Sequence, residues 1–325
     1  MTRDSERMTT GSPGGSTTGS DYEFKLGVFM SEMRLPFEES LAAARDMGVQ
    51  YVWCGAYDDG RRISELPDAQ IDEVARMIES YGLRLLFQDP GALFKQVHLA
   101  ELESGKMLEH ALFKEHFDQL TRSMEVAARL GVGAVASCGF AWPGEYTAGK
   151  PTWPMRWATG GGIIADIDMR KLVEAFSLLV ELAERFNVDI ALLMMQWNYT
   201  NTTSNLSRIL DAVGSPRLKA IWCPADNLNC GEMDVASTGF DNIRPHLHAV
   251  HAKDLHTIDG AKLDFDYKPI GEGDLDYPTL LRNLRDNDCD VVISVATHFE
   301  PVSGSYLEAM QMNCANLRRL IAELD

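Results

Sequence analysis

From residue 25 onward the chain repeats one unit eight times: a short apolar run of strand character, then a longer amphipathic run of helical spacing. The strand-like runs fall at 25–30, 49–54, 83–87, 132–137, 189–195, 218–223, 247–254 and 290–295. The helical runs fall at 36–47, 67–81, 114–130, 168–186, 204–213, near 235–243, at 277–286 and at 306–324. Gly48, Gly82 and Gly131 each stand just past a helical run, where a left-handed residue ends a helix without steric cost. Unbroken strand–helix alternation requires parallel strands with crossover helices. Eight repeats in one chain then predict a single (β/α)8 TIM barrel over 21–325. A doubly wound sheet is the alternative, but no Gly-x-Gly-x-x-Gly turn follows the first strand.

Composition narrows the partners. The 325 residues carry 30 basic and 48 acidic side chains, a net charge of −18. That balance argues against a nucleic-acid backbone and favours a small neutral or polar ligand. Six cysteines with no Cys-x-x-Cys pair are expected to be reduced cytoplasmic thiols, four of them (Cys54, Cys138, Cys223 and Cys289) in or beside strand-like runs. No apolar run approaches a membrane span, and residues 1–20 read as a disordered Ser/Thr/Gly-rich tail without a signal-peptide core. The sequence leaves homo-oligomerisation open.

A barrel of this kind presents its ligand site at the C-terminal ends of the strands. The seventh run ends there in chemistry: His248 and His251 sit among Leu247, Ala249 and Val250, and Lys253 and Asp254 close it. A structural strand with satisfied histidines would look the same, and Lys253 and Asp254 read as a structural pair. Trp53 and Trp222 end the second and sixth runs, as barrel plugs or as ligand contacts. The loop 138–166 carries Trp142, Trp153 and Trp157, and Trp197 follows the fifth run; these are expected to stack on a sugar or planar ring. Asn198, Asp226, Asn227, His298 and Glu300 are further polar candidates at strand ends, whereas Glu145 in the aromatic loop reads as solvated.

Three stretches carry a resemblance. They are His251-Ala-Lys-Asp254, Pro269-Ile-Gly-Glu-Gly-Asp-Leu-Asp-Tyr277 and Asp211-Ala-Val-Gly-Ser-Pro-Arg-Leu-Lys219. With them the chain resembles the sugar phosphate isomerase/epimerase family, the xylose isomerase-like TIM barrels that include ketose 3-epimerases and inosose dehydratases. The resemblance implies Mn2+ or Mg2+ held by two Glu, one Asp and one His at the ends of the fifth to eighth strands. A hard cation in such a shell grips vicinal sugar oxygens and stabilises an enediolate, while carboxylates exchange the proton.

At the positions where the resemblance implies ligands, this sequence departs. The first Glu falls on Leu193, the Asp on Cys223 and the second Glu on Ala296; only His251 keeps its type. His251 and Cys223 are thus the candidate catalytic and metal-binding groups that remain. The flanks still fit, so the change is confined to the metal shell, as in a specialised pseudoenzyme or an altered site. Period-two alternation also puts Met195 with Leu193 and His298 with Ala296. Met195, Cys223, His251 and His298 would together suit a soft metal such as Cu or Zn; the bland alternative is that sulfur fills the space carboxylates left.

The expected function is therefore a sugar isomerase or epimerase acting on a keto-sugar or polyol derivative, with its metal-assisted step lost or altered. A keto-glycoside lyase, a non-catalytic sugar-binding barrel and a soft-metal protein are the alternatives. Whether the chain is an enzyme is left open by the sequence.

Overall fold

A computed structural model describes residues 22–142, 162–259, 264–299 and 301–324. The tail 1–20, Glu145, Trp153, Trp157 and Glu300 lie outside the described residues.

Eight parallel strands curl into one sheet: β1 (Lys25–Phe29), β2 (Tyr51–Trp53), β3 (Arg84–Leu85), β4 (Ala134–Cys138), β5 (Asp189–Leu193), β6 (Leu218–Trp222), β7 (Leu247–Ala252) and β10 (Val292–Val295). Their order is β3-β2-β1-β10-β7-β6-β5-β4, so the first strand joins the last, with Lys25 opposite Val292. Among the described residues, the ring closes between β3 and β4 through a single bridge, Gln88 to Val135. There Gln88 N donates to Ala134 O (3.0 Å) and Ala136 N donates to Gln88 O (2.9 Å). The expected (β/α)8 TIM barrel is the fold.

The helices are α1 (Phe37–Asp46), α2 (Asp68–Ser80), α3 (Ala111–Leu130), α4 (Asp166–Phe186), α5 (Thr203–Val213), α6 (Pro224–Asn229), α7 (Phe240–Ile243), α8 (Tyr277–Asp286) and α9 (Tyr306–Ala322). Their ends follow local chemistry. Thr202, Asp276 and Ser305 accept from Asn205 N, Thr279 N and Glu308 N to cap α5, α8 and α9. Gly131 and Gly214 close α3 and α5 in the left-handed conformation.

Alternation along each strand separates two apolar layers. Val28, Val52, Val135, Ile190, Ala220, Val250 and Ile293 pack outward under the helices. Leu86, Ala134, Ala136, Ala191, Ile221, Ala249 and Val292 fill the lumen with Trp53 and Phe87. Alanine at four lumen positions leaves room for the two aromatic rings, as a close-packed interior requires.

The sequence reading did not anticipate a ninth and tenth strand. After β7 the chain leaves the barrel as an antiparallel hairpin, β8 (Asp254–Asp259) and β9 (Asp264–Lys268), with Leu255 opposite Tyr267. The hairpin carries Tyr267 back over the strand ends.

Candidate functional site

His251 occupies an inward position on β7 and is 4% exposed. Two aromatic rings hold it in T-shaped contacts: Trp53 from β2, with ring centroids 5.2 Å apart, and Phe29 from β1, at 5.9 Å. Its Nδ1 is buried without a hydrogen-bond partner. Burial, reinforced by the positive charge of Lys253, pushes the imidazole well below its ordinary pKa, so His251 is neutral at physiological pH. A buried polar atom without a partner is uncommon in a native protein and marks a place for a ligand or water.

Two charge pairs flank this imidazole. Lys253 Nζ lies 3.0 Å from Asp226 Oδ2, with side chains 5% and 9% exposed. Burial alone would lower the Lys253 pKa, but Asp226 and then Tyr267 outweigh it and keep the ammonium charged. Gln196 Nε2 donates to the other Asp226 oxygen at 3.4 Å. Tyr267 reaches in from the hairpin: its ring is 5.7 Å from Lys253 Nζ and 5.0 Å from the His298 ring, and burial pushes its hydroxyl up to about 12.

The second pair joins the segments that follow β1 and β10. His298 Nδ1 lies 2.8 Å from Glu32 Oε1, and Thr297 donates to the other oxygen through its N–H and its hydroxyl. Burial pushes the Glu32 carboxyl up, but His298 and these donors outweigh it and hold it at about 2. His298 itself sits at φ 61°, a left-handed conformation that costs free energy for a residue with a Cβ. The His298 ring centroid is 6.1 Å from that of His251.

The expected Lys253–Asp254 pair is not formed. Adjacent residues at a strand end face opposite ways, so Lys253 turns inward to Asp226 while Asp254 turns out. Asp254 accepts N–H bonds from Leu255, Gly271, Gly273 and Leu275. The Gly-rich stretch after β7 is thus a cradle for a buried carboxylate, and burial, against these donors, still leaves Asp254 at about 6. A Cβ on Gly273 would stand 2.2 Å from Asp254 Oδ1, so only glycine fits. Tyr277 from the same stretch donates its hydroxyl to Lys253 O at 2.9 Å.

The remaining sequence candidates divide. Trp222 is fully buried in the outer layer against Phe240. Trp142 is buried with its ring 4.0 Å from Tyr199, and Trp197 lies 6.0 Å from Lys95 Nζ. Asn198 donates to Gly139 O and Asn227 to Asn201 O, each keeping a buried carbonyl oxygen without a partner. Trp53 donates its indole N–H to Asp89 at 2.8 Å, and its ring lies 5.2 Å from that of His251 in a T-shaped contact.

Leu193 packs among the lumen side chains, and Cys223 and Ala296 are fully buried. Burial pushes the Cys223 thiol well above its ordinary pKa, so it is protonated. Met195 Sδ pairs with Cys138 Sγ at 3.5 Å, and His298 pairs with Glu32. Among the described residues no three His, Cys, Asp or Glu side chains come together to hold a metal ion. Leu193 and Ala296 offer no donor atom and Cys223 offers a neutral thiol, so this set does not fit a hard divalent cation.

Glu32, Gln196 and Tyr267 escaped the sequence reading. Tyr267 had a signal: alternating runs on either side of Asp259-Gly260 are a hairpin signature. Glu32 had none, since its partner lies 266 positions on.

Comparison with known proteins places this geometry. The model of one protein family, described as the xylose isomerase-like TIM barrel, matches residues 41–316. The chain belongs to the xylose isomerase-like TIM barrel family. Its solved structural neighbours share the fold at low identity. The IolI protein with a bound zinc atom is 17% identical over 93% of this chain and 99% of that one, with a TM-score of 0.68. The 3-keto-D-glucoside 4-epimerase YcjR from E. coli is 17% identical over 92% and 100%, with a TM-score of 0.63. D-psicose 3-epimerase from Clostridium cellulolyticum H10, solved with D-tagatose, is 16% identical over 93% and 100%, with a TM-score of 0.65. No curated protein matches the chain. As a xylose isomerase-like barrel it has, among the described residues, no helix long and apolar enough to cross a membrane.

Proposed function

We propose that this xylose isomerase-like barrel binds a keto-sugar or polyol derivative at its strand ends and does not run the cation-assisted enediolate step. The observation that carries the reading is the set of side chains at the mouth. An unpartnered buried His251 Nδ1 lies with the Lys253–Asp226 and Glu32–His298 pairs, where Leu193, Cys223 and Ala296 supply no carboxylate. Charged, hydrogen-bonding groups beside Trp53, Phe29 and Tyr267 suit a ligand with polar edges and an apolar face. Lys253 contributes fixed positive charge beside a neutral imidazole. That combination orients a carbonyl or hydroxyl group but does not chelate two vicinal oxygens as a hard cation does. The substrates named for the neighbours YcjR and D-psicose 3-epimerase are carbonyl sugars, which fits the same ligand class.

The test pairs two readouts on the full chain. Melting is followed with D-tagatose, D-psicose and D-fructose, and solvent deuterium entry into each sugar is followed by NMR with and without Mn2+. The expected result is a sugar-dependent rise in Tm that Tyr267→Phe reduces, with no Mn2+-dependent deuterium entry. Deuterium entry that requires Mn2+ would overturn the cation-free reading. No Tm rise with any of the three sugars would overturn the sugar-binding one.

A further inference from the structure

A cavity of about 650 Å3 lies at the opposite end of the barrel from this mouth. It exists because the barrel wall is split there. Strand β3 pairs with β2 over only two residues, and the Gln88–Val135 bridge joins β3 to β4 higher up. Among the described residues, no backbone hydrogen bond crosses from residues 83–86 to residues 130–133. The seam opens toward α2, whose Val74 and Ile78 line the cavity together with Leu83 and Leu130.

The inner side of the same cavity is cationic. Lys25, Arg84, Lys219 and His248 line it from four different strands. Lys25 is neutralised by Asp290. Among the described residues Arg84 and Lys219 have no ion pair: Arg84 acts against Lys25, and Lys219 acts against the protonation of His248, which Asp189 favours. Two uncompensated cations at one cavity are a local reversal in a chain of net charge −18. The facing acids are Asp290, paired with Lys25, Asp189, which acts on His248 and is paired with Arg217 at 3.0 Å, and Glu79 at the end of α2. Arg84 and Lys219 against Glu79 leave one net positive charge, which suits a monoanion better than a dianion.

We propose that this cavity binds a small amphipathic carboxylate, its apolar body in the seam under α2 and its head group on Arg84 and Lys219. The volume is in the range of small-molecule sites, and the combination of apolar wall and few polar anchors is what such sites use. This site is independent of the reading of the barrel mouth, because it shares no residue with it.

Calorimetry on the full chain tests it with three probes: n-decanoate, n-decanol and inorganic phosphate. Decanoate is expected to bind at least tenfold more tightly than decanol, and Arg84→Gln and Lys219→Met should each weaken it severalfold while melting as cooperatively as the parent. Equal binding of decanol, or decanoate affinity unmoved by both variants, would overturn the proposal. So would binding of phosphate but not decanoate, no binding of any probe, or a decanoate affinity that falls instead in Tyr267→Phe.

Discussion

Lys253 Nζ and Asp226 Oδ2 stand 3.0 Å apart with 5% and 9% of their side chains exposed, a salt bridge withdrawn from water at the end of the barrel. Desolvation of two charges costs about as much as their attraction returns, so the pair is better read as a positioning device than as a source of stability. Removing one partner is another matter. Lys253→Met leaves the Asp226 carboxylate, among the described residues, with Gln196 at 3.4 Å as its side-chain donor. It should cost about 3–5 kcal/mol in urea unfolding, and the double variant Lys253→Met, Asp226→Leu should recover most of that. A single variant within about 1 kcal/mol of the parent would show the pair to be solvated.

Glu32 and Asp254 give opposite pH dependences. Glu32 is held at about 2 against an ordinary 4.5, so its contribution is complete above pH 4.5 and is lost as pH falls toward 2. At about 1.36 kcal/mol per unit the loss is about 3 kcal/mol at most, because His298 is one-third exposed. The stability gap between the parent and Glu32→Gln should therefore narrow as pH drops through this window. Asp254 is raised to about 6 from 3.8, so its contribution is present below 3.8 and is lost as pH rises through 6. Asp254→Asn should flatten that rise-side slope in denaturant titrations at pH 4 to 7.

The cradle around Asp254 predicts a steep response to one methyl group. On Gly273 a Cβ would meet Asp254 Oδ1 at 2.2 Å and Leu255 O at 2.4 Å, and neither backbone nor buried carboxylate can retreat. Gly273→Ala should lower stability by about 1–3 kcal/mol or more. Gly133→Ala, where a Cβ meets nothing within 4 Å, should be close to neutral. Equal melting temperatures for the two variants would mean that the cradle is not as tight as drawn.

Metal uptake tests the lost shell directly. After incubation with Mn2+ and desalting, elemental mass spectrometry should find little metal on the parent chain. A variant carrying Leu193→Glu, Cys223→Asp and Ala296→Glu should retain Mn2+, since it restores hard oxygen donors beside His251. Retention by the parent would show that other ligands complete a site, and retention by neither would mean these positions do not share one shell. Parallel Cu2+ and Zn2+ incubations read out the soft-ligand alternative through Met195, Cys223, His251 and His298.

The repeated strand–helix period was enough to place all eight barrel strands, because buried parallel strands and their crossover helices leave different periodicities. The hairpin β8–β9 was absorbed into the seventh strand and the stretch after it, although its alternation around Asp259-Gly260 was readable. His251 can be placed on the seventh strand from sequence because ionisable groups at a strand end are visible in one dimension. Its partners were not all visible. Glu32 meets His298 only because β1 lies beside β10, and Lys253 chooses Asp226 over its neighbour Asp254 because side chains alternate at a strand end. Sequence adjacency suggested the wrong pair; geometry decided it.

The single Gln88–Val135 bridge has a consequence for how the chain is made. Strands β4 to β7 can zip together in order as each emerges from the ribosome, each docking on the one before. β1 to β3 make up the other half of the sheet, and among the described residues one bridge fastens it to β4. Its firm edge is β1, which also pairs with β10, the last barrel strand in chain order. The two half-sheets therefore wait for β10, and Glu32 reaches His298 only when the ring shuts.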